Sequence, residues 1–474
     1  MLLNLNVDEI KHPDLLVSIC CFMGCTPKTE RHGNYVIKDQ TIVFDEPQRS
    51  EGQQSVLQLA VAPIPNVRIG FVGLGMRGHD AVDRISYIDG ISIVALCDIE
   101  QDRVEAVQSN ILDSNGLPRA AEYVGREAYQ QLCERDDIDL VYICTDWKTH
   151  VPIAVYAMQH GKHVAVEVPA ATSIEECWQL VDVAEQTQRH CMMLENCCYD
   201  FFELTALNMA QQGLFGELIH GEGAYIHNLE PYWSEYHENW RLDFNQKHAG
   251  DVYPTHGLGP LCQAFNIHRG DRMKTLVAMS TPSINGLKLA KERMNADTFA
   301  QGDMTTTMIE TEKGKTFLIE HNVFTPRPYN RLYQLTGTEG FANKYPVEGF
   351  TLLEERLPEG LLPEGLAPIS PHSFVPDTVR ALLMKEYLHP IAKDIAAQAK
   401  EVGGHGGMDF IMDYRLIYCL HHGLPLDQDV YDAAEWSCLG ECTAASIAHG
   451  GMPVSMPDFT RGDWNKVQGY HPAQ

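Results

Sequence analysis

Three glycines, Gly73, Gly75 and Gly78, stand in a G-x-G-x-x-G array directly after the apolar run Val67–Val72, and an acid, Asp98, closes the next apolar run, Ile91–Cys97. Each position has a chemical reason. Glycine at 73 permits a tight strand-to-helix turn, glycine at 75 lets backbone N–H groups approach a pyrophosphate at a helix N-terminus, and glycine at 78 lets the helix lie close on the strand. A carboxylate at 98 accepts hydrogen bonds from the adenine ribose hydroxyls and repels a 2′-phosphate, so the expected cofactor is NAD and not NADP. A hydride carrier is therefore expected in the first half of the chain.

Proton-transfer chemistry is offered further on. His256 carries an imidazole whose ordinary pKa of about 6.5 suits a general acid or base at neutral pH. Tyr253, three residues earlier, shares its face if that segment is helical. Glu167 ends a strand-like run, where active sites of parallel sheets gather, and both proton transfer and a plain nicotinamide-side or ribose contact are open to it. Asn196 closes the next strand and is expected to reach the same cleft. No His/Cys spacing suits zinc, so no metal is expected.

The elements that must position these groups follow from the residue pattern. From Asn66 the chain alternates: strand Val67–Gly73, helix Gly75–Tyr87, strand Ile91–Asp98, helices Glu100–Ile111 and Glu127–Glu134, strand Leu140–Thr145, helix Val151–His160, strand His163–Glu167, helix Ile174–Gln188 and strand Cys191–Asn196. This β-α-β alternation predicts an α/β fold, a doubly wound parallel Rossmann sheet over residues 66–196. After Cys197 the pattern changes to a helix, Phe202–Gln212, and runs at Ile219–His227, Met273–Ser280, Thr305–Glu312, Lys315–His321 and Arg331–Gly337 separated by turns. These predict an α+β domain over 197–474 with a large, mostly antiparallel sheet, completed by helices at Val379–Lys400, Met408–His421 and Asp427–His449.

Residues 1–65 fall outside this pattern. Leu15–Cys25 resembles a short apolar segment running into a lipobox-like Met-Gly-Cys, but Asp8, Glu9 and Asp14 precede it where a signal peptide is basic. The arm is open between a signal or lipoprotein tether and an ordinary helix, and localisation between periplasmic or lipid-anchored and cytoplasmic. The net charge of -28, from 36 Lys+Arg against 64 Asp+Glu, argues against a nucleic-acid groove or an anionic membrane surface and favours a neutral small molecule or glycan. The fourteen cysteines read as buried hydrophobes, Cys20-Cys21 and Cys197-Cys198 having no assignable role, and no stretch is apolar enough to span a bilayer.

Four stretches together resemble the glucose-fructose oxidoreductase and inositol dehydrogenase superfamily: the glycine array, Tyr142–His150, Gly161–Pro169 and the His256 segment. Two of them depart from that superfamily's dehydrogenases. The Glu-Lys-Pro of those enzymes, whose lysine acts as acid/base or orients a sugar hydroxyl, is here Glu167-Val168-Pro169, and Val252 stands where their Asp-x-x-x-His signature has its aspartate. Tyr253-Pro254-Thr255-His256 followed by Gly257-Leu258-Gly259-Pro260 resembles instead glycoside hydrolase family 109, the NAD-dependent N-acetylgalactosaminidases. Gly404–Phe410, Gly423–Ser437 and Pro457–Thr460 agree, so the likeness runs from about Val67 to Trp464.

That resemblance implies a redox-neutral, retaining release of terminal N-acetylgalactosamine: oxidation of the sugar C3 hydroxyl makes the C2 proton acidic, the aglycone leaves by elimination, water adds, and the hydride returns. It implies His256, Tyr253 and Glu167 as the catalytic set, and Tyr225, Arg241, Tyr253, His256 and Tyr329 around the sugar. Met76, Arg77, the Trp147–His150 loop, Glu167, Val168 and Asn196 would lie along the dinucleotide, although Trp147 and His150 are equally open to a packing role. Gly403–Gly407 needs unusual backbone angles and is open between a cofactor-side and an interface loop. The alternative is an NAD-dependent sugar or inositol dehydrogenase with net cofactor turnover, against which the missing lysine argues. A third reading is a cofactor-binding protein without catalysis. A homo-oligomer is expected, with an exposed face of the antiparallel sheet as its natural interface.

Overall fold

The computed structural model describes residues 30–362 and 368–474; the Leu15–Cys25 segment, with Cys20, Cys21 and Cys25, lies outside them. Short, mostly apolar runs build a six-stranded sheet in the order Ala121–Val124, Ile91–Asp98, Val67–Val72, Leu140–Ile143, His163–Val166, Cys191–Met193, with every pair parallel. The chain builds outward to one side of Val67–Val72 and then to the other. The carboxyl ends of Val67–Val72 and Leu140–Ile143, which lead into Gly73 and Cys144, therefore flank the crevice where a doubly wound sheet takes its ligand.

Three local features differ from expectation. Ala121–Val124 forms an edge strand although its four residues, alternately exposed, make no apolar run. The helix expected to reach Ile111 is regular only over Gln101–Val107 and continues as a π-helical turn, Gln108–Asp113. The last strand stops at Met193, and a 3-10 turn, Asn196–Tyr199, begins just beyond it.

The second sheet has eleven strands, in the order Glu30–His32, Tyr35–Lys38, Thr41–Phe44, Val454–Ser455, Met273–Ser280, Thr305–Thr311, Thr316–Asn322, Leu218–Ile226, Tyr333–Gly337, Gly340–Asn343, Gly349–Leu352. It is antiparallel except where Leu218–Ile226 pairs with Thr316–Asn322 and Thr41–Phe44 with Val454–Ser455. Residues 30–44, which carry no strong strand signal, thus extend the sheet by pairing with a strand near the other end of the chain. The expected helix Val379–Lys400 is three pieces, Asp377–Glu386, Pro390–Lys393 and Ala396–Val402. Pro390 forces His389 out of the helical region, to ψ 138°. The eleven cysteines among the described residues are free, and all but Cys144 are buried.

One packing contact fixes the region around His256. The helix Thr255–Ala264 seats its backbone on the strand Leu218–Ile226: a Cβ at Gly223 would stand 2.2 Å from the Gly257 carbonyl oxygen, and a Cβ at Gly257 would stand 2.6 Å from the Ala224 nitrogen. On its other side a Cβ at Gly259 would come within 2.9 Å of Glu195 Cγ and of the Trp436 ring. No side chain fits at any of the three glycines without a shift, so the backbone placement of His256 is set by hard contact. Gly257→Ala is expected to lower the unfolding free energy by about 1–3 kcal/mol through overpacking, seen as a fall in the thermal midpoint; an unchanged midpoint would contradict this contact.

Candidate active site

A cleft of about 840 Å³ runs from the glycine turn, past the carboxyl ends of the parallel strands, to the His256 helix. Of the residues expected from sequence, every one but Gly78 lines it. Gly78 lies beneath, where a Cβ would stand 1.8 Å from the Gly73 carbonyl oxygen. Gly73 has φ +89°, and its Cβ would strike Cys144. A Cβ at Gly75 would find only Arg103 Nη1, at 3.8 Å, so the space above it is open. The helix Met76–Ile85 begins there with no side-chain cap, which leaves its first N–H groups for an anion. These residues fit a dinucleotide pyrophosphate.

Asp98 braces the same turn. Leu74 N–H donates to its Oδ2 at 2.6 Å, Glu100 N–H to its Oδ1 at 2.9 Å, and Arg103 Nη1 lies 3.4 Å from Oδ1. Trp147 donates its indole N–H to the Val168 carbonyl at 3.1 Å, and the ring nitrogens of buried His150 lie 2.9 Å from the Pro169 carbonyl and 3.1 Å from that of Thr145. Both residues stand on the first turn of the helix Trp147–Gln159 and not in the loop expected from sequence, and they tie that helix start to the Val168–Pro169 turn at the wall of the cleft. Burial pushes the His150 imidazole below its ordinary pKa against the pull of those carbonyls.

Next along the cleft is a buried ionic knot. Arg77 grips Glu167 Oε1 through Nε at 3.1 Å and Nη2 at 2.9 Å, and reaches Asp409 Oδ2 with Nη1 at 3.2 Å. Asn196 Nδ2 donates to Asp409 Oδ1 at 2.5 Å. Burial alone would raise the Asp409 carboxyl, but the hydrogen bond from His405 and the charges of Arg77 and Arg84 hold it well below the usual carboxylate range.

At the far end Glu195, with no exposed side-chain surface, places Oε1 2.7 Å from His256 Nδ1. Burial raises the Glu195 carboxyl, yet the charge and hydrogen bond of His256 outweigh it and keep it below its ordinary value. An ionised carboxylate only accepts, so Nδ1 carries the proton of that bond and Nε2 is turned away from Glu195. The Tyr253 hydroxyl lies 3.4 Å from that nitrogen. Tyr253 precedes the helix and does not sit on it; it meets His256 by packing, its ring perpendicular at 4.9 Å, and not by helical periodicity.

Tyr225 closes the group, its ring 5.1 Å from His256 and 4.7 Å from Tyr253. Its hydroxyl lies 2.9 Å from Nδ1 of His227, whose pKa falls to about 4 through burial and the charge of Arg241. His227 is therefore neutral at neutral pH and can accept from the phenol. Its ring meets Tyr329, partly exposed at the mouth, at 4.8 Å. Arg241 is buried, donates to the Tyr236 hydroxyl at 2.7 Å, and lies over the rings of Trp147, Tyr236 and Tyr253 at 5.1, 5.2 and 4.7 Å. No carboxylate among the described residues lies within 4.0 Å of it. A buried cation without an acid partner is suited to negative charge that develops on a ligand.

Sequence reasoning missed Glu195, His227, Tyr236, His405 and Asp409. Glu195 gave one usable signal, an acid at the end of an apolar strand beside Asn196. Glu195, Cys197 and His256 also bring potential ligand atoms within 4.8 Å of one another, a cluster that their wide spacing in the chain hides. Arg331 Nη1, 3.4 Å from Cys197 Sγ, sets a fixed positive charge beside it that opposes a cation.

Two family descriptions match the chain: an oxidoreductase family with an NAD-binding Rossmann fold over residues 67–195, and the Glycosyl hydrolase 109 C-terminal domain over 199–466. The chain is 57% identical over 439 residues to Glycosyl hydrolase family 109 protein 1 of Bacteroides thetaiotaomicron, covering 92% of this chain and 94% of that one. It is 55% identical over 464 residues to the Glycosyl hydrolase family 109 protein of Porphyromonas gingivalis, covering 97% and 98%. Among solved structures, scyllo-inositol dehydrogenase from Lactobacillus casei with bound NAD(H) and scyllo-inositol shares the fold, with a TM-score of 0.57 at 14% identity over 82% of this chain and 99% of that one.

Two substitutions probe the site. Asp98→Ala is expected to weaken NAD binding and relax discrimination against NADP, measured by titrating both cofactors; unchanged affinities would contradict the role given to that carboxylate. Glu195→Gln removes the buried anion that holds the Nδ1 proton of His256. It should lower kcat by about 10²–10⁴-fold while leaving the copurified dinucleotide unchanged, and an unchanged kcat would separate Glu195 from the work of His256.

Proposed function

Because the chain belongs to glycoside hydrolase family 109, we propose that it is an NAD-dependent retaining glycosidase releasing terminal α-linked N-acetylgalactosamine by transient oxidation at C3. The observation that carries this reading is the condition of the carboxylates. Ordinary glycosidases set two free acids about the anomeric carbon. Here two buried carboxylates of the site are engaged, Glu167 by Arg77 and Glu195 by His256. What the site offers instead is a base, phenols and an uncompensated cation, the groups needed to move protons at C3 and C2 and to hold an enolate.

A bound dinucleotide supplies a reversible hydride acceptor for the sugar C3. In this scheme His256 Nε2, backed by Glu195, removes a proton from substrate directly or through the Tyr253 hydroxyl. Arg241 faces the oxygen at which negative charge collects once the C2 proton leaves, and its aromatic surround keeps water from weakening that attraction. Tyr225 and Tyr329 offer aromatic faces to the pyranose. Glu167, pinned by Arg77, acts as a positioning contact at the nicotinamide side.

A panel of nitrophenyl glycosides tests the reading, with the copurified dinucleotide identified. The expected result is release of nitrophenol from the α-N-acetylgalactosaminide without net accumulation of NADH, loss of that activity when the dinucleotide is stripped, and solvent deuterium at C2 of the sugar product. His256→Ala should lower kcat/KM by about 10²–10⁴-fold. Cleavage that survives removal of the dinucleotide, or stoichiometric NADH production, would overturn it.

A further inference from the structure

Five arginines are buried among the described residues: Arg84, Arg241, Arg269, Arg331 and Arg415. Four of them have a carboxylate. Arg84 lies 3.0 Å from Asp413, Arg269 2.7 Å from Asp432, Arg331 3.4 Å from Asp200 and Arg415 2.8 Å from Asp427. Arg241, only 7% exposed, has none within 4.0 Å among the described residues. It stands in the first turn of the helix Trp240–Lys247 and lines the cleft. The rings of Trp147, Tyr236 and Tyr253 face its guanidinium, but a ring face carries no net charge and leaves N–H donors without an oxygen. Only Nη1 meets one, the Tyr236 hydroxyl at 2.7 Å, while Nε is sealed from solvent with no partner. Tyr236 accepts that bond, and its own O–H finds no acceptor among the described residues. A buried cation and a phenol, both with donors to spare, thus share one corner of the cleft.

We propose that this corner is a binding site for a small monovalent anion such as chloride, held by Arg241 and the Tyr236 hydroxyl whenever no sugar occupies the cleft. A buried charge is tolerated when it is paired and hydrogen-bonded, and a halide supplies both conditions at once. One negative charge is the right number. His227 and His321 are held neutral, their pKa values pushed down to about 4 and about 3 by burial and the charge of Arg241, so they add no further positive charge. A dianion would bury a surplus charge in a cleft end that already holds the ionised Glu195. Anion and sugar then exclude each other, because both need the same donors: substrate binding releases the ion, and halide acts as a competitive inhibitor. The inference stands apart from the glycosidase reading, since a sugar merely oxidised in this cleft would meet the same arginine.

Bromide is the probe, because its anomalous scattering identifies it in a crystal. Crystals of the wild-type protein, with its copurified dinucleotide, soaked in sodium bromide should show an anomalous peak in hydrogen-bond contact with Arg241 and Tyr236; bromide at the protein surface only would overturn the proposal. In solution, sodium chloride or bromide should raise the thermal midpoint above that in sodium PIPES of equal ionic strength, whose bulky dianion does not fit. The gain should grow as the logarithm of one plus the halide concentration over its Kd, and equal midpoints in halide and PIPES would overturn the site. Arg241→Gln should abolish the halide dependence. Should that variant fold poorly, Tyr236→Phe keeps the ring against the guanidinium, deletes the O–H donor and should weaken halide binding several-fold; undiminished binding would remove Tyr236 from the site. On the nitrophenyl glycoside, halide at ten times its Kd should raise KM about tenfold with kcat unchanged, and a fall in kcat at constant KM would overturn the competition. Protein that cleaves no glycoside would overturn the glycosidase reading, while the bromide peak still decides this one.

Discussion

The site depends on one buried carboxylate. Asp409, at the start of the helix Met408–His422, accepts from Arg77 in the glycine turn, from Asn196 beyond the last parallel strand and from His405 in the glycine run, with Arg84 at 3.7 Å. Those groups come from both halves of the chain, so Asp409 locks the nucleotide-binding sheet to the domain that carries His256. One turn later Asp413 repeats the device, taking hydrogen bonds from Arg84 at 3.0 Å and from the Tyr142 hydroxyl at 2.7 Å. Such networks stabilise modestly when complete, but losing one member strands a buried charge at about 3–5 kcal/mol. The arrangement serves geometry more than stability: it holds the glycine-turn side of the cleft and the His256 side at a fixed separation.

The second constraint is steric. Gly223, Gly257 and Gly259 let the His256 helix touch both the strand carrying Tyr225 and the Glu195 segment without intervening side chains. Ion pairing fixes the domains, and close backbone packing fixes the imidazole within them. Neither works alone, because the 2.7 Å bond from His256 to Glu195 needs both partners placed to within a few tenths of an ångström.

These constraints explain what the sequence could and could not disclose. The parallel sheet was legible because apolar runs, turn glycines and a terminal acid recur in a fixed local order, and the mostly antiparallel second sheet from runs separated by turns. The rim of the cleft was legible because such a sheet gathers its site at one edge. Ala121–Val124 and residues 30–44 were not, because edge strands lack an apolar run and gain their pairing from distant partners. Glu195 and Asp409 escaped for a related reason: each becomes informative only when residues 61 and 332 positions away, His256 and Arg77, are brought to it. His405 stood in plain view within a glycine run, but its meaning depends on a carboxylate whose burial the sequence does not reveal.

Charge completes the picture. A net charge of -28 should repel a doubly charged pyrophosphate, yet the cleft is lined by Arg77, Arg103, Arg126, Arg241 and Arg331. Several Debye lengths away an anionic ligand meets a screened surface, since at physiological salt that length is about 8 Å. Inside, where walls of low polarity weaken screening, it meets the local arginines. Three of these are already bound to acids, Arg77 to Glu167, Arg103 to Asp98 and Arg331 to Asp200, whereas Arg241 has none among the described residues. The uncompensated positive charge therefore lies at the Tyr253 end of the cleft. A protein of strongly negative net charge can in this way hold an anion inside the cleft while its net charge discourages polyanions in solvent.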